Sequence, residues 1–397
     1  MRIVFDCTSC QPGHGIETNG GGEYSLRVLE ELYKRDMSLQ IVLLFSQNKG
    51  RNKRVEEFPF DSYSYKNISD LSCYLDNIEV DVIVFPVAYP IYGQIKISKN
   101  VQIICGIHDL SDFYETIISN YQKRYFNDDG LDWMRSLYCY IMRKKKRKMS
   151  KLMHENLFRI SKNTHVYTVS YYSKHAIEYY LDGCRVEDVF YSPNKIQNHI
   201  KMDTNTILSE FCVEKKSYFL LSNACRWLKN NERALIAFDN LLKDRKISDN
   251  IKIVVLGCNE NFIKHMKRIL THEYCFIFRN FVKDIELECL YKYAKSFVYP
   301  SLLEGFGYPP IEAMKYGTIS LCSTSTSIPE ITDGNAIYFD PLNIQSIEMA
   351  ILHSLDYDYM ARFEREKLIE SYNKLNVKQE EDLNRLINYI LKMEKGE

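Results

Sequence analysis

Glu304 and Glu312 stand eight residues apart in the segment Pro300-Ser301-Leu302-Leu303-Glu304-Gly305-Phe306-Gly307-Tyr308-Pro309-Pro310-Ile311-Glu312-Ala313. The segment begins where an apolar run at 297–299 ends, passes Gly305 and Gly307, and enters a helical stretch whose first turn accepts proline. This predicts a crevice at the carboxyl end of a parallel strand, where open α/β sheets take their ligands. The glycines permit tight turning, and the backbone N–H groups that follow can receive an anion together with the helix start. A carboxylate at Glu304 would repel a phosphate at contact distance, but it suits sugar or ribose hydroxyls, which donate to it. Glu312, in the first helical turn, is favoured there by the helix dipole and also takes hydroxyl donors. The pair points to a ligand with both a phosphate and sugars. The plainer alternative is a glycine loop with a helix-capping glutamate.

Arg226 and Lys229 lie in Ser222-Asn223-Ala224-Cys225-Arg226-Trp227-Leu228-Lys229-Asn230, after an apolar run at 218–221. Two cations there suit a diphosphate and the charge that develops as it leaves; solvated surface cations are the bland alternative. A second glycine run, Asn19-Gly20-Gly21-Gly22-Glu23-Tyr24, lacks dinucleotide-binding spacing and reads either as a phosphate or acceptor loop or as a flexible loop with a cap. His108-Asp109 ends the run at 103–105; the ring can donate at a crevice, while Asp109 fixes the ring or holds the loop. No serine lies in a G-x-S-x-G elbow, so no hydrolase triad is formed. Asp356-Tyr357-Asp358 reads as helix-end acid, and no H-E-x-x-H is present, so no metal site is expected.

These residues need a scaffold. The chain has 397 residues, 45% of them hydrophobic, and single cores stop growing near about 250–300 residues. Lys and Arg number 52, as do Asp and Glu, giving zero net charge, which argues against a nucleic-acid-binding polycation. The apolar start at Ile3-Val4-Phe5 breaks at Asp6, too short for a signal peptide, and no window is apolar enough to span a membrane. Twelve cysteines are scattered, with only Cys7 and Cys10 closely spaced, so a reducing cytoplasmic setting is expected. Runs at 3–5, 41–45, 82–85, 103–105 and 166–169 predict strands of one parallel sheet, with a helix at 23–35 between the first two. Runs at 218–221, 253–256, 276–278, 297–299 and 319–322 predict a second sheet, with helices around 231–241, 285–294 and 310–316. The expectation is an α/β protein with two doubly wound domains: 1–195, then a connection at 196–216, then 217–375. A terminal helix in 376–397 carries Leu383, Leu386, Ile387 and Ile390 on one stripe and is expected to pack back on the first domain.

At this point the pattern resembles the retaining glycosyltransferases of family 4, the glycosyl transferases group 1, which have the GT-B fold. The resemblance rests on the segment 300–313 and continues through Lys315-Tyr316-Gly317-Thr318, Ser327-Ile328-Pro329-Glu330-Ile331 and Ala336-Ile337-Tyr338-Phe339-Asp340-Pro341. Gly20–Tyr24, His108-Asp109-Leu110, Thr168-Val169-Ser170 and Lys229-Asn230 fall in the family's order. It implies two Rossmann-like domains facing across a deep cleft and a nucleoside-diphosphate sugar as donor, GDP-mannose or a UDP-hexose, without a tightly bound cofactor or a metal. It also implies roles. Glu304 holds the donor sugar's hydroxyls, Gly305, Phe306 and Gly307 approach the sugar and diphosphate, and Glu312 holds the ribose. Lys229 binds the diphosphate, His108 positions the reacting sugar, and Gly21 and Gly22 shape the acceptor and phosphate side. The family often has arginine where this chain has Asn223, and Arg226 is the candidate replacement; Asn280 stands where a glycine is usual near the base. The implied reaction moves a hexose, with retention, to a glycan or lipid-linked glycan in surface polysaccharide synthesis. A disaccharide phosphorylase, a sugar-nucleotide epimerase and a non-catalytic sugar-binding protein share the architecture and remain the alternatives.

One segment has no place in that scheme. Residues 141–160 hold eight Lys or Arg against one acid, Glu155, and six of the basic residues run consecutively as Arg143-Lys144-Lys145-Lys146-Arg147-Lys148. Apolar residues before and after, from Trp133 to Met142 and at Met149, Leu152, Met153, Leu157 and Ile160, recur at helical spacing. The pattern suits an anionic membrane surface on the inner face, with lysine stems covering apolar area, and equally a buried stripe with a solvated basic face.

Overall fold

The computed structural model describes residues 1–12, 20–98, 100–111, 113, 132–194 and 204–393, and of 132–144 the backbone alone. They fall into two compact units, one drawn from Met1–Ile117, Met142–Gln197 and Asn376–Glu397, the other built on Asn198–Leu375.

The first unit is a parallel sheet of β1 (Arg2–Asp6), β2 (Gln40–Ser46), β3 (Asp61–Tyr65), β4 (Val82–Phe85), β5 (Gln102–Gly106), β6 (Asn163–Thr168) and β7 (Asp188–Val189), in the order β3-β2-β1-β4-β5-β6-β7. All four residues of β4 are fully buried, because helices cover both faces of a parallel sheet and an interior strand has no wet side. The edge strand β3, Asp-Ser-Tyr-Ser-Tyr, is half exposed and pairs only with β2. Its alternation carries no continuous apolar run, so the sequence reading passed over it, as it did the two-residue β7.

The second unit repeats the plan with β8 (Tyr218–Leu221), β9 (Lys252–Val255), β10 (Phe276–Phe278), β11 (Ser296–Tyr299), β12 (Ser320–Ser323) and β13 (Ala336–Phe339), ordered β10-β9-β8-β11-β12-β13. In each sheet the chain winds outward from a central strand and then returns to its other side. That creates switch points between β1 and β4 and between β8 and β11, where the loops leaving adjacent strands diverge and open a crevice.

Three expected boundaries move. The first helix begins at Gly20 and runs to Arg35, so Gly20, Gly21 and Gly22 form its first turn rather than a loop ahead of it. The stretch 196–216 is more than a connection: Thr204–Glu210 is a helix, and Ile207, Leu208, Phe211 and Val213 lie in the second core; residues 195–203 lie outside the described ones. The last helix is a single element, Arg365–Lys392. From Asn376 onward it belongs to the first unit, with Leu383, Leu386, Ile387 and Ile390 buried. Each such side chain contributes about 1.5–3 kcal/mol when fully buried. Arg27 adds a hydrogen bond to Glu380 at 3.1 Å, and the Tyr191 amide donates to Asp382 at 3.0 Å. Cys7 and Cys10 are buried thiols beside the first switch point, and burial holds the Cys7 thiol well above its ordinary range.

Gly22 is where the first helix touches the turn after β1. A Cβ there would sit 2.7 Å from the Ser9 carbonyl oxygen and 3.3 Å from the Cys10 Cα, both backbone atoms that cannot swing aside. Gly22→Ala is expected to lower stability by about 1–3 kcal/mol, the usual cost of overpacking, read as a shifted midpoint in urea unfolding with an unchanged slope.

Candidate functional site

Loops leaving β8 and β11 meet at the second switch point and bring three of the four expected catalytic side chains to one place. Lys229 ends a short 3-10 turn, Trp227–Lys229, and is buried. Its ammonium donates to the Tyr299 hydroxyl at 2.9 Å and to Glu304 Oε1 at 2.5 Å. The same oxygen accepts from Tyr299 and from the Ser301 hydroxyl, each at 2.5 Å. Burial alone would raise the Glu304 carboxyl, but the Lys229 charge and these donors outweigh it and hold the group below the usual glutamate range. Oε2 has no hydrogen-bond partner among the described residues. One carboxylate oxygen is thus fixed while the other is left for an incoming donor.

The loop around Glu304 is pinned from behind. Its amide donates to Thr326 Oγ1 at 3.0 Å, and the Ser327 hydroxyl donates to the carbonyls of Glu304 and Phe306 at 3.1 and 2.8 Å. Gly307 then takes φ 102°, a left-handed value that disfavours a side chain, as the residue capping the helix Tyr308–Lys315. Pro309 sits in that helix's first turn, where its missing N–H costs nothing. Glu312 lies in the second turn of that helix and not the first as expected, beyond the turn where the helix dipole favours it; it is half-buried beside the Tyr291 hydroxyl, which burial and this carboxylate together hold well above its ordinary range. Asn230, also left-handed, donates to the Pro300 and Pro341 carbonyls at 3.0 and 2.8 Å and accepts from Arg233 at 2.6 Å, locking the β8 loop to the β11 loop.

Arg226 is exposed, and its guanidinium makes no hydrogen bond or ion pair with a described residue; its charge reaches Tyr299 electrostatically. Asn223 adopts φ 56° against Gly257, a backbone asparagine tolerates better than most residues. The carbonyl of Asn280 accepts from the Gly257 amide at 2.9 Å, with Phe281 beside it 70% exposed.

The first unit gathers the other motifs. His108 donates from Nε2 to the Pro86 carbonyl at 3.0 Å, and Tyr167 donates to the same oxygen at 3.3 Å. Burial lowers the His108 pKa to about 4; the ring is neutral, and with Nε2 protonated its Nδ1 is an acceptor. Tyr24, one turn after the glycines, meets the ring edge-on at 4.5 Å and donates to Tyr167 at 3.1 Å. Thr168 donates to the Ile107 carbonyl at 2.6 Å, and Ser173 to that of His108 at 2.8 Å. Asp109 does not orient the ring: it accepts from the Ser111 amide at 2.8 Å and holds the loop. Glu23 pairs with Arg54 at 2.9 Å.

The sequence reading missed Asp6, taken only as the end of an apolar run. It is buried at the first switch point, accepting from the Thr8 amide and hydroxyl at 3.1 and 2.6 Å and from Tyr92 at 3.0 Å, and burial raises its pKa to about 6. It missed Tyr299, read as a core strand residue, and the roles of Ser301, Thr326 and Ser327. No residue-type signal separates these hydroxyls from ordinary loop serines and threonines. Asp356 caps the helix Tyr357–Met360 through the Tyr359 amide at 2.7 Å.

The basic segment lies on the helix Asp132–Leu157. The side chains of Arg143, Lys144 and the apolar residues from Trp133 to Met142 lie outside the described ones. Lys145, Lys148, Met149 and Leu152, at i, i+3, i+4 and i+7, share one face, and all four are exposed, whereas Leu157 and Ile160 are core residues. Arg147 lies 4.8 Å from the Phe113 ring centre.

Two outcomes follow from these geometries. Lys229→Met strands a buried carboxylate, so it is expected to cost about 3–5 kcal/mol at neutral pH; Lys229→Met/Glu304→Gln recovers much of this in urea unfolding. Asp6 and His108 titrate with opposite sign. Raised to about 6, Asp6 favours its protonated form when folded, so its stabilisation is lost as pH rises from about 4 to about 6. Lowered to about 4, His108 makes the folded state less stable as pH falls from about 6.5 to about 4. Each is worth about 3 kcal/mol and they nearly cancel. His108→Gln is expected to expose the Asp6 slope, and Asp6→Asn the His108 slope, in denaturation midpoints taken between pH 4 and 7.

Residues 208–375 match the family described as glycosyl transferases group 1. The O-antigen chain mannosyltransferase B of Escherichia coli is 36% identical over 107 residues, 27% of this chain and 25% of that protein. The O-antigen chain mannosyltransferase RfbU of Salmonella typhimurium is 29% identical over 195 residues, 47% and 50% of the two chains. The chain thus spans a quarter of the length of the first relative and half that of the second. Among solved structures, HepE of Anabaena in complex with UDP and glucose superposes with a TM-score of 0.68 over 97% of this chain and 99% of that one, at 13% identity. The two switch-point sheets are those of the GT-B fold, and residues 208–375 carry the likeness to the glycosyl transferases group 1.

Proposed function

We propose that the protein is a retaining hexosyltransferase that moves a sugar from a nucleoside-diphosphate donor to a hydroxyl of a glycan or lipid-linked glycan in surface polysaccharide synthesis. The observation that carries this reading is Glu304, anchored through Oε1 by Lys229, Tyr299 and Ser301 with Oε2 left open. The open oxygen accepts from donor-sugar hydroxyls. Lys229 and the exposed Arg226 supply positive charge for the diphosphate, whose negative charge grows as the glycosidic bond breaks. The reading is metal-independent, with the exposed Arg226 and the Lys229 ammonium as the groups that meet the diphosphate. Glu312 takes the ribose hydroxyls, the backbone of Gly305, Phe306 and Gly307 lines the sugar and diphosphate, and Phe281 beside Asn280 offers a face to the base.

Glu304 is held ionised by a lysine, which suits binding and not general acid catalysis. The attack is read as front-face, through an oxocarbenium-like state, with the leaving diphosphate accepting the acceptor's proton. His108, neutral and aimed by Pro86, serves as a hydrogen-bonding positioner near the reacting sugar, with Gly21 and Gly22 shaping the acceptor side. The names of the two O-antigen relatives favour mannose, and hence GDP-mannose, as the donor; the UDP complex of HepE keeps UDP-hexoses in the screen.

We place the acceptor at a membrane surface on the strength of Lys145, Lys148, Met149 and Leu152 on one exposed helical face, a mixed basic and apolar surface suited to anionic headgroups. No described helix is long and apolar enough to cross a membrane.

The test is incubation with labelled GDP-mannose, UDP-glucose and UDP-galactose, with and without inorganic phosphate and EDTA. Transfer from one donor that is indifferent to phosphate and chelator is the expected result; phosphate-dependent release of a sugar phosphate, or rescue only by manganese or magnesium, would refute it. Glu304→Gln is expected to lower kcat by about a hundredfold or more, assayed below an unfolding midpoint that the unmatched Lys229 charge lowers, and Arg226→Ala to weaken nucleoside-diphosphate binding without touching stability. Sedimentation with liposomes is expected to rise with anionic lipid and fall with salt, and to be lost when the basic residues 143–148 become Gln; equal binding to neutral vesicles sinks the membrane placement.

A further inference from the structure

The second sheet has another edge. At the amino-terminal ends of β8, β11 and β12, a strand length of about 13 Å from the loops of Lys229 and Glu304, lies an open cavity of about 370 Å³. Lys216, two residues before β8, Lys295, the residue before β11, and Arg365, which opens the last helix, all line it. Phe363, Met360 and Tyr357 also line it and supply its larger apolar side chains. One acid, Asp356, lines it as well, but Oδ1 is engaged by the Tyr359 amide at 2.7 Å.

The three cations are not paired with carboxylates. None of them makes an ion pair with a described residue. The Lys216 ammonium donates to the Ala294 carbonyl at 2.7 Å and the Arg365 Nε to the Tyr316 carbonyl at 3.3 Å, each at the end of a helix. The Lys295 ammonium has no hydrogen-bond partner among the described residues; only its backbone amide is engaged, donating to the Tyr218 carbonyl at 2.8 Å. Burial, and then the charges of Arg365 and Lys295, push the Lys216 pKa down, which is what like charges do when nothing neutralises them. The convergence is also built into the backbone. Gly317 turns at φ +66° directly under Arg365, and a Cβ there would meet the Arg365 side chain at 2.2 Å. Helix capping accounts for Lys216 and Arg365 singly, but not for Lys295, nor for the aromatic and methionine side chains that line the same cavity.

We propose that this cavity binds an organic phosphate, its anion held by Lys216, Lys295 and Arg365 and its apolar body set against Phe363, Met360 and Tyr357. A volume of about 370 Å³ falls in the range of small-ligand pockets, about 300–1,000 Å³. The site lies on the opposite edge of the sheet from Glu304, so a ligand here does not occupy the donor position and stands independently of the transferase reading.

Isothermal titration of the full chain with phenyl phosphate and with inorganic phosphate tests it. Phenyl phosphate is expected to bind with one-to-one stoichiometry and tighter than inorganic phosphate, with a Kd unchanged within twofold in Lys229→Met/Glu304→Gln. Lys295→Gln is expected to raise that Kd about tenfold or more, the loss of one charge-assisted hydrogen bond, with an unchanged melting temperature; Lys295→Arg restores it. Loss of binding in the Lys229→Met/Glu304→Gln protein, indifference to Lys295→Gln, or inorganic phosphate binding as tightly as phenyl phosphate would each overturn the proposal. No sugar enters the assay, so its failure is separable from a failure of glycosyl transfer.

Discussion

An almost fully buried ion pair between two loops organises the second unit. Lys229 and Glu304 leave neighbouring strands, β8 and β11, and neither charge is tolerable in its surroundings without the other. The rest of the site reads as support for that pair. Tyr299 and Ser301 take up the remaining lone-pair capacity of Oε1, Asn230 ties the two loops through backbone carbonyls, and Ser327 and Thr326 fix the turn that carries Glu304. A buried carboxylate that is ionised, immobile and open on one side is prepared to orient hydroxyls without reorganising when they arrive.

The first unit uses a backbone carbonyl where the second uses a carboxylate. Pro86, just beyond β4, accepts from both His108 and Tyr167, which sets the imidazole tautomer and leaves the other ring nitrogen as an acceptor. Tyr24 closes the group from the first helix, and that helix approaches closely enough only because position 22 has no side chain. Gly22 is therefore a packing position in the helix's first turn, and the close approach it allows brings the aromatic ring to the histidine.

Charge is laid out along the second sheet in two distinct ways. At the carboxyl edge the buried lysine is matched by a glutamate, while at the amino edge Lys216, Lys295 and Arg365 have no such partner among the described residues. A chain with equal numbers of acids and bases has no shortage of partners, so the difference lies in local arrangement and not in composition. The exposed face of Lys145, Lys148, Met149 and Leu152 in the first unit shows the same principle on a helix.

The sequence by itself determined the two parallel sheets. Interior strands must be apolar on both faces, so 82–85, 218–221 and 297–299 announce themselves wherever they fold. It also determined that Glu304 and Lys229 belong to loops after strands, that Glu312 lies in the helix that follows, and that Leu383, Leu386, Ile387 and Ile390 form a buried stripe, because loop glycines and helical periodicity are local signals. Tertiary structure decided the rest. The edge strand β3 is stabilised by pairing with β2 and needs no apolar run. The close approach of the first helix to Ser9 depends on the missing side chain at Gly22. That Asp109 holds a loop while His108 leans on Pro86, that Asp6 is buried uncharged at low pH, and that Lys229 is neutralised by Glu304 75 residues away, all depend on distances no linear spacing encodes. Hydrogen-bond partners and burial are properties of the assembled fold, and they alone turn a residue's chemistry into a role.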